Sequence, residues 1–353
     1  MLDEASVENL KLAEQTIRKC VGRNGFYASA QLYRKQYWIR DLTYSIEPLL
    51  DLGVDFADTV KRQLELTLER QKRSGEAPEM ILERIPSVVS QIRLARTLLE
   101  RNPTLLFREI PTSDSDALAL ISIERYSAVR PDEGFKELHA AQIKRIWQHM
   151  ENRVTSDGLM PDADWRDAMF NYVGKTSFCN QALLVIAYSL TGRNEQAERV
   201  KHHLEEMFWD EELGYYRDYP GSSRFDALGH SLALLEDVVP ESRVDRIVEA
   251  LQNASTQLGI RNIWPSYPER ECGQSPEYYQ NSTVWPYIQG YAVAALAKVG
   301  RQDLAEEEFR KLSDLPGFNE WYNPSTGRAG GSKDQLWSAV GYIRAYRSVQ
   351  RKF

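Results

Sequence analysis

Apolar residues recur along this chain at the spacing i, i+3, i+4 and i+7, and most segments with this pattern end at a glycine or a proline. This spacing is typical of α-helices. Alternating β-branched runs and Asn-Gly or Asp-Gly turns, which would indicate strands, are scarce. The pattern therefore predicts about a dozen helices.

The predicted helices are of two kinds that alternate along the chain. The first kind carries interleaved acids and bases around one apolar stripe, with predicted spans 6–21, 55–73, 133–153, 194–208, 241–257 and 302–313. The second kind is apolar on nearly every side and rich in small residues, with predicted spans 39–51, 114–127, 175–190, 224–236, 283–298 and 334–348. A helix that is apolar all round is buried, and one with a single apolar stripe lies at a surface. We therefore expect six inner and six outer helices.

An internal repeat supports this alternation. Residues 181–198 align without a gap on residues 289–306, and the repeated unit is an inner helix, a glycine turn and an outer helix. Self-similar helical pairs build solenoids or closed rings, and no polar capping repeat is recognisable. We therefore predict an all-α fold, a single (α/α)6 toroid over 1–353, with a helical insertion or lid at 80–104.

The composition excludes several classes of protein. The 353 residues are 42% hydrophobic and 27% charged, as in an ordinary globular protein with a large core. With 44 basic and 51 acidic residues the net charge is −7, the wrong sign for a protein that binds nucleic acid through phosphates. The 8 tryptophans and 18 tyrosines suit a core and also suit stacking on uncharged sugars.

The cysteines and the apolar stretches indicate where in the cell the protein is expected. Cys20, Cys179 and Cys272 are widely spaced and form no Cys-x-x-Cys motif, so neither a disulfide framework nor a zinc site is predicted. We see no secretory signal and no stretch long enough to span a bilayer. We expect a cytoplasmic protein with no membrane partner and leave the oligomeric state open.

Polar and aromatic residues that do not suit a core cluster at one place in each repeat, the loop before an inner helix or its first turn. In a toroid the amino-terminal ends of the inner helices meet at one mouth, so we expect any chemistry there. These residues are Trp38, Arg40 and Asp41; Asp114 and Asp116; Asp164, Trp165, Arg166 and Asp167; Arg224 and Asp226; Tyr279, Asn281 and Trp285; and Glu320, Trp321, Tyr322 and Trp337.

Many of these residues also have a purely structural alternative. The aspartates that could merely cap helices or stabilise helix dipoles are Asp114, Asp116 and Asp226. The tryptophans that could be core aromatics are Trp165, Trp285 and Trp337. Arg40 and Asp41 could form an ion pair inside an otherwise apolar helix, and His230 could be a hydrogen-bonded core histidine.

Two of the mouth carboxylates are expected to face each other. Asp167 precedes the third inner helix and Glu320 precedes the sixth, so they stand on opposite walls of a six-membered ring. Glycoside hydrolysis requires two such groups, one that protonates the leaving oxygen and one that activates water or attacks carbon. A separation of about 6.5–9.5 Å predicts inversion and about 5–5.5 Å predicts retention. Opposite walls favour inversion.

Four segments resemble motifs of the α/α-toroid glycosidases related to glucoamylases, debranching-enzyme glucosidase domains, trehalases and glycoside hydrolase family 63. Y-W-I-R-D-L at 37–42 resembles their W-x-R-D segment, and W-R-D-A at 165–168 resembles the W-x-D-A segment of the debranching glucosidases. N-E-W-Y-N-P-S-T-G at 319–327 with Q-L-W-S-A at 335–339 is similar to the ending of family 63 and trehalase proteins. Y-Y-Q-N-S-T-V-W-P at 278–286 is similar to their Y-H-N-G-x-V-W-P segment.

The resemblance implies an exo-acting, inverting hydrolase of α-linked sugars that uses no metal or other cofactor. It makes Asp167 the general acid and Glu320 the general base, and it makes Arg40 and Asp41 the donor and acceptor for hydroxyls of the terminal sugar. The further substrate-binding residues predicted at the mouth are Tyr37, Trp38, Asp116, Trp165, Arg166, Gln280, Asn281, Trp285, Trp321, Tyr322 and Trp337.

Two departures from the family pattern leave alternatives open. Serines follow the acid in family 63 and trehalase proteins but not in the segment DADWRDAMF, so Asp164 is a rival for the acid. Gln280 stands where a histidine is usual, which changes the expected sugar contacts. Burial beside Trp165 and the charge of Glu320 favour a protonated acid, whereas Arg166 opposes it. The shortness of the chain favours a small pocket.

The leading hypothesis is an inverting exo-α-glycosidase acting on a small α-glucoside. Hydrolysis of a sugar-glycerate compatible solute or of sucrose is an alternative on the same fold, because the shape of the pocket sets the substrate. A catalytically inactive, sugar-binding toroid is a second alternative. A sugar epimerase is a third, but it requires paired histidines at the mouth, for which His230 is the one candidate.

Overall fold

The computed structural model describes residues 4–83 and 110–350. Within these residues the inner helices span Ile39–Asp51, Asp114–Val129, Phe178–Leu190, Ala227–Leu235, Pro286–Lys298 and Leu336–Gln350. The outer helices span Glu4–Cys20, Val54–Glu69, Ala140–Arg153, Asn194–Met207, Glu241–Ala254 and Gln302–Ser313. Shorter helical turns lie at Pro131–Glu133, Phe135–Leu138, Phe170–Tyr172 and Glu269–Cys272. The predicted all-α class is confirmed.

The inner helices form a closed ring. Each one packs against the next along the chain, and the sixth packs against the first. The first outer helix packs on the sixth inner helix, where the Tyr342 hydroxyl donates to the carbonyl oxygen of Ser6 at 3.0 Å. Most residues of the inner helices are buried because neighbours cover them on every side. The predicted (α/α)6 toroid is therefore the observed architecture.

Small residues let neighbouring inner helices approach closely. A Cβ on Gly290, in the fifth inner helix, would overlap the backbone of Gly341 in the sixth, and a Cβ on Gly341 would overlap the backbone near Tyr287. Close-packed backbones leave no space for a side chain at such a crossing. The small residues that mark the inner helices in the sequence therefore have a packing role.

The helix bounds follow from local capping and from breaks in the pattern. The third inner helix, predicted to begin at 175, begins at Phe178 because the Ser177 side chain accepts a hydrogen bond from the Asn180 N–H and caps it. The outer helix predicted over 133–153 is broken at His139 into Phe135–Leu138 and Ala140–Arg153.

Four antiparallel two-stranded ribbons, which the sequence pattern did not predict, join the helices of the described residues. They pair Gln36–Trp38 with Met80–Leu82, Trp209–Asp210 with Tyr215–Tyr216, Phe225–Asp226 with Ile263–Trp264, and Trp321–Tyr322 with Ala329–Gly330. Strands of two or three residues are too short to show alternation in a sequence. Several of these strands precede inner helices and shape the mouth.

The expected insertion at 80–104 is described only at its beginning. Met80–Leu82 is a strand rather than part of a helix. Residues 84–104 of this expected insertion lie outside the described residues. Among the helices in the described part of the chain, none combines the length and apolarity needed to cross a membrane.

Candidate active site

Glu320 lies immediately before the strand Trp321–Tyr322, and its carboxylate is held from two sides. The Ser332 N–H donates to Glu320 Oε2 at 2.8 Å, and the Tyr33 hydroxyl donates to Oε1 at 3.2 Å. The Glu320 N–H in turn donates to the carbonyl oxygen of Ser332 at 2.8 Å. The carboxylate fits against the chain because Gly331 has no Cβ, which would overlap Oε2. These contacts fix one orientation of the carboxylate.

The electrostatics of Glu320 suit a base. Burial raises the pKa of Glu320 to about 7, and the negative charge of Asp167 adds to this effect, whereas the hydrogen bonds from Ser332 and Tyr33 lower the pKa. The residue is 3% exposed, so its ionised form loses most of its hydration. A carboxylate with a pKa near neutral can take a proton from water efficiently at physiological pH.

Asp167 lies in the loop before the third inner helix, with its side chain 30% exposed. Arg40 Nη1 donates to Oδ2 at 2.8 Å, and Gln280 Nε2 donates to Oδ1 at 3.2 Å. Burial raises the pKa of the Tyr279 phenol, and the charges of Glu320 and Asp167 raise it further. The charge of Asp167 therefore acts on Glu320, and both charges act on Tyr279.

The Arg40 guanidinium is enclosed by three carboxylates. Nε donates to Asp114 Oδ2 at 2.7 Å, Nη1 donates to Asp167, and Nη2 donates to Glu79. The Arg40 side chain is 5% exposed. Each nitrogen of Arg40 donates to a carboxylate, and these bonds join the first inner helix to the loop that carries Asp167. The role of Arg40 as a donor to sugar hydroxyls stays a prediction.

Asp41 follows Arg40 in the first turn of the same helix. Its Oδ1 accepts a hydrogen bond from Gln335 Nε2 at 3.4 Å. Burial and the nearby charge of Glu320 raise the pKa of Asp41 to about 8, although Arg40 opposes this shift. A carboxyl that keeps its proton at neutral pH can donate as well as accept a hydrogen bond. The role of Asp41 as an acceptor for the sugar stays a prediction.

Asp164 and Arg166 lie in a second, fully buried cluster of charges. The Arg166 backbone nitrogen and Nε each donate to Asp164 Oδ1 at 2.9 Å. Nη1 lies 2.8 Å from Asp218 Oδ1, and Nη2 lies 3.2 Å from Asp226 Oδ2. Burial raises the pKa of Asp164, but Arg166 outweighs burial and holds that pKa below its ordinary value. An enclosed, ionised carboxylate is unsuited to be the acid.

This cluster engages the Arg166 guanidinium with buried carboxylates, and the cation beside Asp167 is Arg40. Contact of Arg166 with substrate stays a prediction. Ligand atoms of Asp164, Cys179 and Asp226 lie within 4.8 Å of one another, the one arrangement of this kind in the described part of the chain. Arg166 already supplies positive charge there, so the residues do not fit a metal ion.

Two other aspartates have partners within the protein, and one of them, Asp226, caps a helix as its structural alternative predicts. Asp116 Oδ1 accepts a hydrogen bond from the Ala77 N–H at 2.8 Å, and its Oδ2 lies 2.5 Å from His149 Nδ1. Asp226 Oδ1 accepts from the Leu228 N–H at 3.1 Å and caps the fourth inner helix. Both oxygens of Asp116 have protein partners, and its contact with substrate stays a prediction.

The predicted tryptophans fall into two groups. Trp165, Trp285 and Trp337 are buried. Trp165 and Trp285 meet edge to face at 5.0 Å, and Trp285 and Trp337 meet at 5.7 Å, so the core alternative is the observed one. Trp38 and Trp321 are half-buried and keep part of each ring available to a ligand. Substrate contact by Trp38 and Trp321, and by the three buried tryptophans, stays a prediction.

Three further predicted substrate-binding residues are buried with their polar atoms bonded to protein. The Tyr37 hydroxyl donates to Glu83 Oε2 at 3.2 Å. The Asn281 amide exchanges two hydrogen bonds with the backbone of Tyr267, both at 2.9 Å. The Tyr322 hydroxyl donates to a backbone carbonyl at 2.7 Å. These hydrogen bonds hold the loops that carry the three residues, and their contact with substrate stays a prediction.

His230 lacks the properties that an epimerase requires. Its Nε2 accepts a hydrogen bond from the Tyr216 N–H at 3.1 Å, so the proton lies on Nδ1, which is 2.6 Å from the Asp226 carbonyl oxygen. Burial lowers the pKa of His230 to about 3. The side chain is a neutral, fully bonded core histidine, as its structural alternative predicts.

Sequence reasoning missed several residues of the site. Tyr33 contacts Glu320 across 287 positions of sequence, and Glu79 contacts Arg40 across 39 positions. Nothing in the local pattern singles out either residue. Gly331 accommodates the Glu320 carboxylate and has a positive φ of 69°, a conformation that favours glycine.

A segment of the chain matches a glycoside hydrolase family. Residues 178–338 match the family described as the mannosylglycerate hydrolase MGH1-like glycoside hydrolase domain. No match was found among curated proteins. The matched segment includes the helices from the third inner helix to the start of the sixth, and it contains Glu320 and Gln280.

Solved glycosidase structures have a similar fold over nearly the whole chain. A structure described as a wild-type glycosidase has a TM-score of 0.72 at 14% identity, over 99% of each chain. The GH63 mannosylglycerate hydrolase from Thermus thermophilus in complex with Tris and D-glycerate has a TM-score of 0.65 at 15% identity, over 95% of this chain and 99% of that one. The same hydrolase in complex with glucose has a TM-score of 0.67 at 14% identity, over 96% and 99%.

These findings bear on two predictions. The similar structures confirm the predicted fold. The family match, with that fold, confirms the resemblance to α/α-toroid glycoside hydrolases and the predicted enzyme class.

Proposed function

We propose that this chain, a glycoside hydrolase of the (α/α)6-toroid group, is an inverting, exo-acting hydrolase of a small α-linked glycoside. The observation that supports this most is a pair of carboxylates in one mouth. Glu320 is buried, and Asp167 is partly exposed and acts electrostatically on it. Asp167 is proposed as the general acid and Glu320 as the general base.

The proposed reaction proceeds by one displacement. Asp167 gives its proton to the glycosidic oxygen as the bond from that oxygen to the anomeric carbon breaks. A water molecule attacks the anomeric carbon from the opposite face, and Glu320 takes the proton that this water releases. The products are a free sugar of inverted configuration and an alcohol, while Asp167 is left ionised and Glu320 protonated.

The surrounding residues would keep the two groups in these roles. Ser332 and Tyr33 direct the Glu320 carboxylate without neutralising it, since each donates one hydrogen bond. Arg40 and Gln280 hold the two oxygens of Asp167. Positioning of this kind lowers the barrier because the reacting groups need not be reorganised during the reaction.

Two substrate classes are proposed. The leading one is a small α-glucoside, which the resemblance of the four motifs supports. The second is a sugar glycerate, which is supported by the family match to a mannosylglycerate hydrolase-like domain and by similar structures with bound glucose or D-glycerate. Sucrose is a third candidate substrate of the same pocket. We also propose that residues 1–353 act as one catalytic domain, since the ring needs all of its hairpins to close.

Turnover of a substrate panel by carboxylate variants tests the proposal. The panel contains α-glucosides, sucrose, glucosylglycerate and mannosylglycerate, with release of free sugar as the readout. Asp167→Asn and Glu320→Gln are each expected to reduce kcat by about 10²- to 10⁴-fold. Asp303→Asn and Glu306→Gln, at exposed positions of the last outer helix, are the matched controls and should retain activity.

The possible outcomes separate the alternatives. Full activity in either carboxylate variant would refute the catalytic assignment. Binding of a panel sugar in calorimetry without any turnover by the wild type would favour an inactive, sugar-binding toroid.

A further inference from the structure

We propose that Gln280 is a positioning residue for the general acid Asp167, not a sugar-binding residue; this inference rests on the proposed function. The Gln280 amide is 2% exposed and makes its hydrogen bonds to the segment 165–168. A side chain in this situation has no free donor for a sugar hydroxyl.

The hydrogen bonds of the amide define its orientation. Gln280 Oε1 accepts from the Ala168 N–H at 3.0 Å, and Nε2 donates to the Trp165 carbonyl oxygen at 2.9 Å. A backbone N–H can only donate and a carbonyl can only accept, so the two ends of the amide cannot be exchanged. The second hydrogen on Nε2 is therefore directed to Asp167 Oδ1, 3.2 Å away.

A second glutamine completes the support. Gln274 Oε1 accepts from the Gln280 N–H at 2.9 Å, and Gln274 Nε2 donates to the Ala168 carbonyl oxygen at 2.9 Å. The two side chains thus bind both backbone groups of Ala168 as well as the carbonyl of Trp165. Gln280 alone also contacts the carboxylate of Asp167. Gln280 therefore contacts both the loop and the acid, whereas Gln274 contacts the loop and the Gln280 backbone.

The backbone around Gln280 is held in an unusual conformation. Glu277, Tyr279 and Ser282 have positive φ values of 59°, 48° and 70°, in the left-handed region that non-glycine residues rarely adopt. Such a conformation is strained and persists where the surrounding contacts hold it. This backbone conformation places the Gln280 amide against residues 165–168.

The acid benefits from restraint of both oxygens. Arg40 binds Oδ2 and Gln280 binds Oδ1, so the carboxyl group cannot rotate freely about its terminal bond. A general acid must present its proton along the direction of the glycosidic oxygen, and a small misplacement reduces transfer strongly. Gln280 supplies this restraint without adding a charge.

The test uses the dependence of the rate on the leaving group. A glycosyl fluoride releases fluoride with little need for a proton, whereas an alkyl glycoside of the same sugar requires the general acid. Gln280→Met, which has a similar length but neither hydrogen-bonding group, is expected to lower kcat on the alkyl glycoside by about tenfold to a hundredfold. Turnover of the fluoride should stay within about threefold of the wild type. Misfolding would lower both rates equally.

A second variant and a matched control accompany Gln280→Met. Gln280→Glu keeps the acceptor for the Ala168 N–H but places a carboxylate oxygen against Asp167 Oδ1, so the ratio of the two rates should change at least as much. Gln274→Met removes loop support without touching the carboxylate. It should lower thermal stability and leave the ratio of the two rates near that of the wild type.

The outcomes distinguish this inference from the proposed function. Equal losses on both substrates, or no loss on the alkyl glycoside, in both Gln280 variants would overturn the role of Gln280. If Asp167→Asn also keeps its alkyl-glycoside activity, the proposed acid itself is wrong. If Asp167→Asn loses only the alkyl-glycoside activity while the Gln280 variants are unaffected, the proposed function stands and the inference fails.

Discussion

The Tyr33 hydroxyl lies 3.2 Å from Glu320 Oε1, although 287 positions of sequence separate the two residues. The contact joins the loop before the first inner helix to the loop before the sixth. Ser29 and Ser332 reinforce the same junction, since their hydroxyl oxygens lie 2.8 Å apart. The base is therefore assembled where the ring closes, and its geometry depends on both ends of the chain.

Replacing Tyr33 with phenylalanine removes one donor to Glu320. We expect kcat to fall by about tenfold with little change in KM, the effect of losing one hydrogen bond to a charged group. The lost bond favours the ionised form, so the pKa of Glu320 should rise above about 7. Since the base must be ionised, the acidic limb of kcat/KM against pH should move to higher pH. An unmoved limb would contradict this role.

Gly331 provides a second test of the base. Gly331→Ala adds a Cβ that overlaps Glu320 Oε2, and we expect activity to fall by more than about tenfold. Gly327→Ala is the matched control, because Gly327 has nearly the same φ, 70° against 69°, but its Cβ would have open space apart from Leu258 at 3.9 Å. Both variants carry the same backbone strain. Once both are shown to fold, a difference between their steady-state activities therefore reports the overlap of the added Cβ with Glu320. Equal activities would count against this role of Gly331.

Arg40 is expected to be needed for folding as well as for activity. Arg40→Met leaves Glu79, Asp114 and Asp167 without their shared cation, and breaking a buried ion pair costs about 3–5 kcal/mol. Chemical denaturation should show this loss of stability, and kcat should fall because Asp167 loses one of its two restraints. Arg347→Met, whose partner Asp51 is more than half exposed, serves as the control and should be nearly neutral. Near-wild-type stability in Arg40→Met would contradict the enclosed geometry.

Ionisation of Glu320 should lower the free energy of unfolding at alkaline pH. The native pKa of Glu320, about 7, lies above its ordinary value of 4.5, so between these values the native state binds a proton that the unfolded state has released. The free energy of unfolding therefore falls as pH rises through this window. Glu320→Gln removes the penalty and should raise Tm at pH 8 by roughly 2 °C or more. At pH 4 the difference should be small, and an equal difference at both pH values would refute the assignment.

Much of the fold could be predicted from the sequence because helix periodicity is local. The two kinds of helix differ in how many sides are apolar, and this difference separates the inner from the outer ring without knowledge of contacts. The short ribbons could not be predicted in this way. A strand such as Trp321–Tyr322 is fixed by its partner Ala329–Gly330 rather than by a pattern of its own.

Sequence motifs identified some residues of the candidate site but not the contacts between its loops. Asp167 and Glu320 stand in recognisable motifs, whereas the partners of Arg40 follow from the packing of separate loops. Gln280 shows the limit most clearly. Its place in a motif suggested contact with a sugar, but the backbone of Ala168 and the carboxylate of Asp167 occupy its amide. Which side of a loop a polar residue faces is decided by tertiary structure.

The most direct test of the central claim is the configuration of the first product. Proton NMR of the released sugar, recorded before mutarotation, distinguishes the two anomers at their anomeric protons. An α-linked substrate from the panel should give the β-anomer first, as expected when Glu320 activates a water molecule opposite Asp167. Initial release of the α-anomer would contradict the single displacement and the assignment of Glu320 as a base.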